Sequence, residues 1–149
     1  MIGFATIEAA MLAGPGHAEH TFVLPQSTYF GELDGTITPR VQAIVDICNA
    51  AEIGTKAMTN IKQVMWEKVT QIANAAGWSV SALAGNNNLF MGEGMMVKEG
   101  AEHYVQYARE LISVYKALGY SPENFFAPVS RLKELDSGEF EDAVKTVIE

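Results

Sequence analysis

Lys68 is the position where residue type and spacing depart most from a plain structural pattern. From Thr59 to Ala76 the apolar residues Ile61, Val64, Met65, Val69, Ile72, Ala73 and Ala76 recur at helical spacing, and Asn60, Gln63, Glu67, Thr70, Gln71 and Asn74 make the opposite face. Lys68 falls on the apolar side, one turn after Val64 and one turn before Ile72. A lysine there either snorkels its ammonium to water or sits in a pocket where its charge acts on something. The run Asn86-Asn87-Asn88 is the other unusual feature. Three consecutive amides do not build a core; they suit a turn, and they offer donors and acceptors to a polar ligand without adding charge.

Other candidate groups have plainer explanations. His17 and His20 are three apart, but on an extended segment that spacing puts them on opposite faces, and no cysteine or acidic cluster completes a metal site. His103 lies beside Gln106 and Glu110 on the polar side of a helix. Gly14-Pro15-Gly16 and Gly92-Glu93-Gly94 both lack the third glycine and the strand–turn–helix context of a dinucleotide fingerprint, and no Walker-type lysine follows either. Cys48, the single cysteine, sits between Ile47 and Asn49 and reads as a packing residue; no internal disulfide can form, and a reducing cytoplasm is the simplest setting.

The elements that must position these groups fall into two regimes. Residues 1 to about 36 are strand-like, with Ile2–Ala10, Thr21–Leu24 and Thr28–Leu33 separated by turn-prone glycine and proline. Three strands with no helix between them imply a small antiparallel sheet. Thereafter nearly everything is helical. Thr38-Pro39 supplies an N-cap and a first-turn proline for a helix to about Glu52, and a short extended piece, Ile53–Met58, leads to the Lys68 helix. Gly77 is expected to interrupt that helix, with Trp78–Ala84 continuing as a shorter one. A regular helix from Val97 to Leu118 stops at Gly119, and further helices are expected after Ser121-Pro122 and from Glu139 to Glu149. The chain has 149 residues, nearly half of them apolar, enough for a real core. A net charge of −8 argues against nucleic acid and anionic membrane surfaces as partners, and no apolar run approaches the roughly twenty residues that span a bilayer.

The stretch Gly31-Glu32-Leu33-Asp34-Gly35, then Pro39-Arg40, then Ile61–Lys68 with Trp66 two residues before the lysine, then Ser81-Ala82-Leu83, resembles the ketopantoate reductase (2-dehydropantoate 2-reductase) family. Ala9-Ala10, Gly14-Pro15-Gly16 and His20 are similar to the strand–turn–strand that closes that family's nucleotide domain. The resemblance implies a mainly α chain with a small N-terminal antiparallel β piece. Residues 1–36 would resemble the end of a Rossmann domain, and residues 37–149 a helical substrate-side domain of the 6-phosphogluconate dehydrogenase C-terminal type, truncated at its C-terminus. It further implies an oxidoreductase of pantothenate biosynthesis that reduces 2-dehydropantoate, or a similar small 2-keto acid, with NADP as cofactor.

In that family the lysine matched by Lys68 is the general acid. A keto oxygen gains negative charge as hydride arrives, and an ammonium within hydrogen-bond reach stabilises and then protonates it. Asn74 and Asn88 match substrate-binding asparagines, and Glu110 matches a glutamate near the site. The chain departs from the pattern one and two turns after the lysine, where Ile72 and Ala76 stand in place of asparagines and where Trp78 replaces the second after a two-residue shift. The family's nucleotide-binding domain would precede residue 1 as a partner of this chain, and a further segment would follow Glu149; the chain alone is therefore expected neither to hold NADP tightly nor to turn over. The alternative is a non-catalytic helical interaction module, whose strands and last helix pair with another polypeptide or with a second copy as a homodimer.

Overall fold

The computed structural model describes residues 1–21, 25–83, 91–122 and 132–148. Most of them are helical, with a small sheet at the N-terminus. The chain divides into two compact units, Met1–Lys68 and Val69–Glu149. The expected loop at 86–88 and the expected helix over 125–129 lie outside the described residues.

In the first unit β1 (Ile2–Thr6) pairs antiparallel with β4 (Thr28–Glu32), placing Thr6 opposite Thr28 and Phe4 opposite Phe30. Both pairs interact across the strands: the threonine hydroxyls are 3.1 Å apart and the phenyl centroids 4.9 Å. Strand β2 (Ala9–Gly14) and strand β3 (His17–Thr21) form a separate hairpin that turns at Gly14-Pro15-Gly16, where Gly16 has φ +72°. The sheet is not wholly antiparallel as the sequence suggested. Helix α1 (Pro39–Ala50) carries the chain back to β5 (Thr55–Ala57), which pairs parallel with β4, Thr28 facing Thr55 and Phe30 facing Ala57. The side chain of Asn49 explains the capture of so short a strand. Its amide donates to the carbonyl of Thr55 at 3.1 Å and accepts from the same residue's N–H at 2.8 Å, the two bonds that a neighbouring backbone would make.

The corner between β4 and α1 is built by the residues that carried the family resemblance. Glu32, buried at the end of β4, accepts from Arg40 Nε and Nη2 at 2.6 Å each and from the Thr38 hydroxyl at 2.7 Å. Thr38 in turn caps α1 by accepting from the Val41 N–H. Asp34 accepts from the N–H and hydroxyl of Thr36, and Gly35 takes φ +86°, closing the turn.

The second unit has its core between α4 (Lys98–Ala117), α5 (Leu132–Asp136) and α6 (Phe140–Ile148), with α3 (Met91–Met95) ahead of them. Ala101, Val105, Ala108 and Ile112 of α4 pack on Leu132, Leu135, Ala143 and Val144. This is the stripe expected from the sequence, and Gly119 ends α4 in the left-handed region at φ +88°. Arg109, on the polar flank of α4, donates to the carbonyls of Leu135 and Gly138 and lies over the ring of Phe140, satisfying the C-terminal end of α5. Among the described residues no helix is long and apolar enough to cross a membrane.

Arg40, then Thr38, holds the Glu32 carboxyl at about 2, below its ordinary 4.5. A carboxyl depressed in the folded state contributes stability that is complete above the ordinary carboxylate range and is lost as pH falls from there toward 2. Glu32→Gln is therefore expected to lower the melting temperature at neutral pH and to flatten its fall across that acid window. Melting curves recorded at a series of pH values check this, and an unchanged acid dependence would remove Glu32 from that role.

Candidate functional site

Helix α2 (Ile61–Leu83) carries two of the four candidate site residues, Lys68 and Asn74, and also Trp78. It runs unbroken through Gly77, contrary to the expected interruption. The missing Cβ there is used for packing instead, since a methyl on Gly77 would run into the ring and hydroxyl of Tyr107.

The rotation of α2 also differs from the one its apolar spacing predicts. The buried side chains are Ile61, Val64 and Glu67 in the first unit and Thr70, Asn74 and Trp78 in the second, while Val69 and Ile72 are half-exposed. Each end of the helix has a reason. In the first unit Ile61 fills the space above two strand glycines; a Cβ on Gly3 would stand 3.0 Å from Ile61 Cγ1, and one on Gly31 2.8 Å from Ile61 Cβ. In the second unit Trp78 is fully buried in a slot walled by Gly94 and Gly100, edge-on to Tyr104, with its Nε1 donating to the Gly100 carbonyl at 2.8 Å. An indole buries about 150–250 Å², or about 4–6 kcal/mol at roughly 25 cal/mol per Å². Val69 and Ile72 forgo only about half of roughly 1.5–3 kcal/mol each. The tryptophan therefore decides the rotation, and residues one and two turns before it, Asn74 and Thr70, go inward with it.

Lys68 is half-buried on the shoulder between the buried and exposed faces. Burial pushes its ammonium below the usual lysine range, and among the described residues no carboxylate or hydrogen bond pulls it back. Its neighbour Glu67 is buried, and it faces the same surroundings as Tyr29. Burial first, and then the charge of Glu67, raise the Tyr29 hydroxyl above its ordinary value, and that hydroxyl donates to the Gln26 carbonyl at 2.9 Å. The apolar pattern sets Glu67 and Thr70 toward solvent, yet both are buried; for Thr70 the signal is Trp78, two four-residue steps away.

Asn74 is fully buried in the second unit. The Tyr104 hydroxyl, raised by burial, is near enough for the Asn74 amide to draw it partly back. Neither Nδ2 nor Oδ1 of Asn74, however, makes a hydrogen bond of good geometry among the described residues. Glu110 is exposed on α4, on the helix face away from the core. Asn88 lies outside the described residues. The histidines have partners of their own: His20 Nε2 is 2.6 Å from Glu8, and His103 Nε2 is 2.7 Å from the Ser81 hydroxyl. Among the described residues no three His, Cys, Asp or Glu side chains gather as a metal site would need.

A buried amide with both ends unpaired costs about 1–3 kcal/mol for each group. Asn74→Leu, which removes that cost at nearly constant volume, is expected to raise the melting temperature, and Asn74→Ala to raise it less because it leaves a void. A clear fall on Asn74→Leu in calorimetry would mean that the amide is satisfied in the folded protein. No family model matches the chain, and neither does any curated protein.

Proposed function

We propose that this chain is the substrate-side, proton-donating portion of a ketopantoate-reductase-like oxidoreductase acting on 2-dehydropantoate or a similar 2-keto acid, built as a helical domain of the 6-phosphogluconate dehydrogenase C-terminal type and working in a reducing cytoplasm. The observation that carries the reading is Lys68, a half-buried ammonium pushed below the usual lysine range by burial, with no neutralising partner among the described residues, two residues after Trp66 on a long helix. Structural lysines on an apolar flank extend to water or find a carboxylate. One kept partly desolvated is suited to give its proton to an oxygen that becomes an alkoxide, because the lower its pKa, the more readily the proton leaves near neutral pH.

In this reading the carbonyl oxygen of the keto acid lies against Lys68 Nζ. As the carbonyl carbon gains hydride, the C=O bond becomes a C–O single bond and the proton moves from Nζ to that oxygen, leaving a neutral amine. Ile72, one turn beyond Lys68 on the same shoulder and half-exposed, stands where the family has an asparagine. It favours a substrate that offers alkyl surface at that point over one that offers a hydroxyl. The family's hydride source is NADPH, the reduced form of its NADP cofactor, and the described residues do not fit it. Gly14-Pro15-Gly16 is the turn of a hairpin, Gly94 and Gly100 wall in Trp78, and neither glycine pair opens a helix directly after a strand. No step of the reaction is therefore drawn through the cofactor.

Two measurements test the proposal. In an enzyme containing this chain, assayed with NADPH and 2-dehydropantoate, Lys68→Ala should lower kcat by roughly 10²–10⁴-fold; an unaffected rate would take Lys68 out of the mechanism. The 149-residue chain by itself is expected to leave NADPH fluorescence unchanged across micromolar titration, and saturable micromolar binding would show that it carries a nucleotide site after all.

A further inference from the structure

The three-stranded sheet of the first unit ends at β1, and that edge is open. Where β1 pairs with β4, the Leu33 N–H donates to the Met1 carbonyl and the Ile7 N–H to the Ser27 carbonyl. Backbone direction alternates along such a ladder, so the odd-numbered residues of β1 turn their N–H and C=O groups toward β4. Those of Ile2, Phe4 and Thr6 point away from it, and among the described residues no backbone group hydrogen-bonds them.

A free edge is a template for another strand, and the other strand edges of this unit are guarded. Strand β5 has three residues and carries the exposed Lys56. Strand β3 carries His17, Glu19 and His20, and β2 shifts register between Leu12 and Gly14. By contrast β1 runs five residues in unbroken register with no charge and no proline. At its centre Phe4 is 49% exposed, its ring 4.9 Å from that of Phe30.

We infer that β1 pairs antiparallel with β1 of a second copy about a two-fold axis at Phe4, joining the two sheets into one. Phe4 then faces the partner's Phe4, Ile2 the partner's Thr6, and Gly3 the partner's Ala5. The strand is self-complementary in this register, because β-branched Ile2 and Thr6 flank Phe4 at equal distances. Each facing pair of outward residues exchanges two hydrogen bonds. The Phe30–Phe4 pair continues across the join as a row of phenyl rings on one face. On the other face the join holds only Gly3 and Ala5, and Gly3 is already covered by Ile61 and Met65.

Charge permits a second copy here. Two chains of net charge −8 repel wherever their acids meet, and β1 brings none. Glu32, which stands opposite Ile2 on β4, is already paired with Arg40. The contact is isologous and leaves no β1 edge free.

Sedimentation equilibrium of the 149-residue chain is expected to show concentration-dependent association to twice its 16.2 kDa. Phe4→Lys sets like charges opposite each other at the axis and should raise the dissociation constant at least about tenfold, equivalent to about 1.4 kcal/mol. Ile2→Pro removes an outward N–H and none that β4 uses, so it should weaken the dimer while the circular dichroism melt is retained. Should either substitution cost the fold, cross-linking decides. In a Cys48→Ala background, Phe4→Cys should form an intermolecular disulfide on mild oxidation, since facing Cα atoms stand about 5.5 Å apart. Leu12→Cys, exposed on β2, should not. A dimer indifferent to Ile2→Pro, or cross-linking through Leu12→Cys as fast as through Phe4→Cys, would overturn the inference. So would a chain monomeric at its highest soluble concentration, which would leave the edge to a strand of another polypeptide.

Discussion

The burial of Trp78 is the interaction on which the arrangement of functional groups depends. A helix of 23 residues has one setting that matters for its side chains, its rotation about its own axis, and the indole slot between Gly94 and Gly100 fixes it at the C-terminal end. The contact of Ile61 over Gly3 and Gly31 fixes it at the N-terminal end. Within the second unit the rest follows from the indole: Asn74 and Thr70, one and two turns before Trp78, go inward with it, and Val69 stays outward. Because a turn of helix is indivisible, α2 cannot expose Asn74 while keeping Trp78, which stands one turn away on the same face.

That coupling explains why polar groups lie where apolar ones were available. Taken alone, a helix with Val69 and Ile72 inward and Asn74 outward would satisfy the simple rule of apolar inside and polar outside. It would also take Trp78 out of its slot and forgo its hydrogen bond to Gly100. The larger, more specific contact outweighs the smaller ones, and the polar residues in phase with it are carried inside. Tyr104 comes near Asn74 there, without a hydrogen bond of good geometry to it. Local disagreement between pattern and burial is where natural chains tend to hold residues for reasons other than stability.

Much of the fold was legible in the residues, in proportion to how local its causes are. The Thr38 cap, the stripe of α4 and the glycine stop at 119 depend on neighbours within a turn or two, and each appears as the spacing predicts. The parallel pairing of β5 was not legible, since it rests on the Asn49 side chain imitating a backbone across an intervening loop. The rotation of α2 was illegible for a different reason. Apolar residues stand on both of its sides, so periodicity alone allows two phases, and only the tertiary slot for Trp78 chooses between them. Lys68 breaks the stripe that the apolar spacing predicts, which is not the buried one. It remains the chemically distinctive residue because the correct rotation still leaves it half-buried.

Seen from the resulting rotation, α2 presents three faces with separate demands. The buried face needs shape. The outward face carries Val69, Ala76 and Val80 and can accept apolar cover without disturbing that packing. The shoulder bearing Lys68 and Ile72 lies between and is shared with neither. The shoulder leaves the Lys68 ammonium partly desolvated, with no carboxylate partner among the described residues. Substitutions at Gly94, Gly100 or Trp78 disturb the slot that sets the rotation, and with it the exposure of Val69, Thr70, Ile72 and Asn74 together.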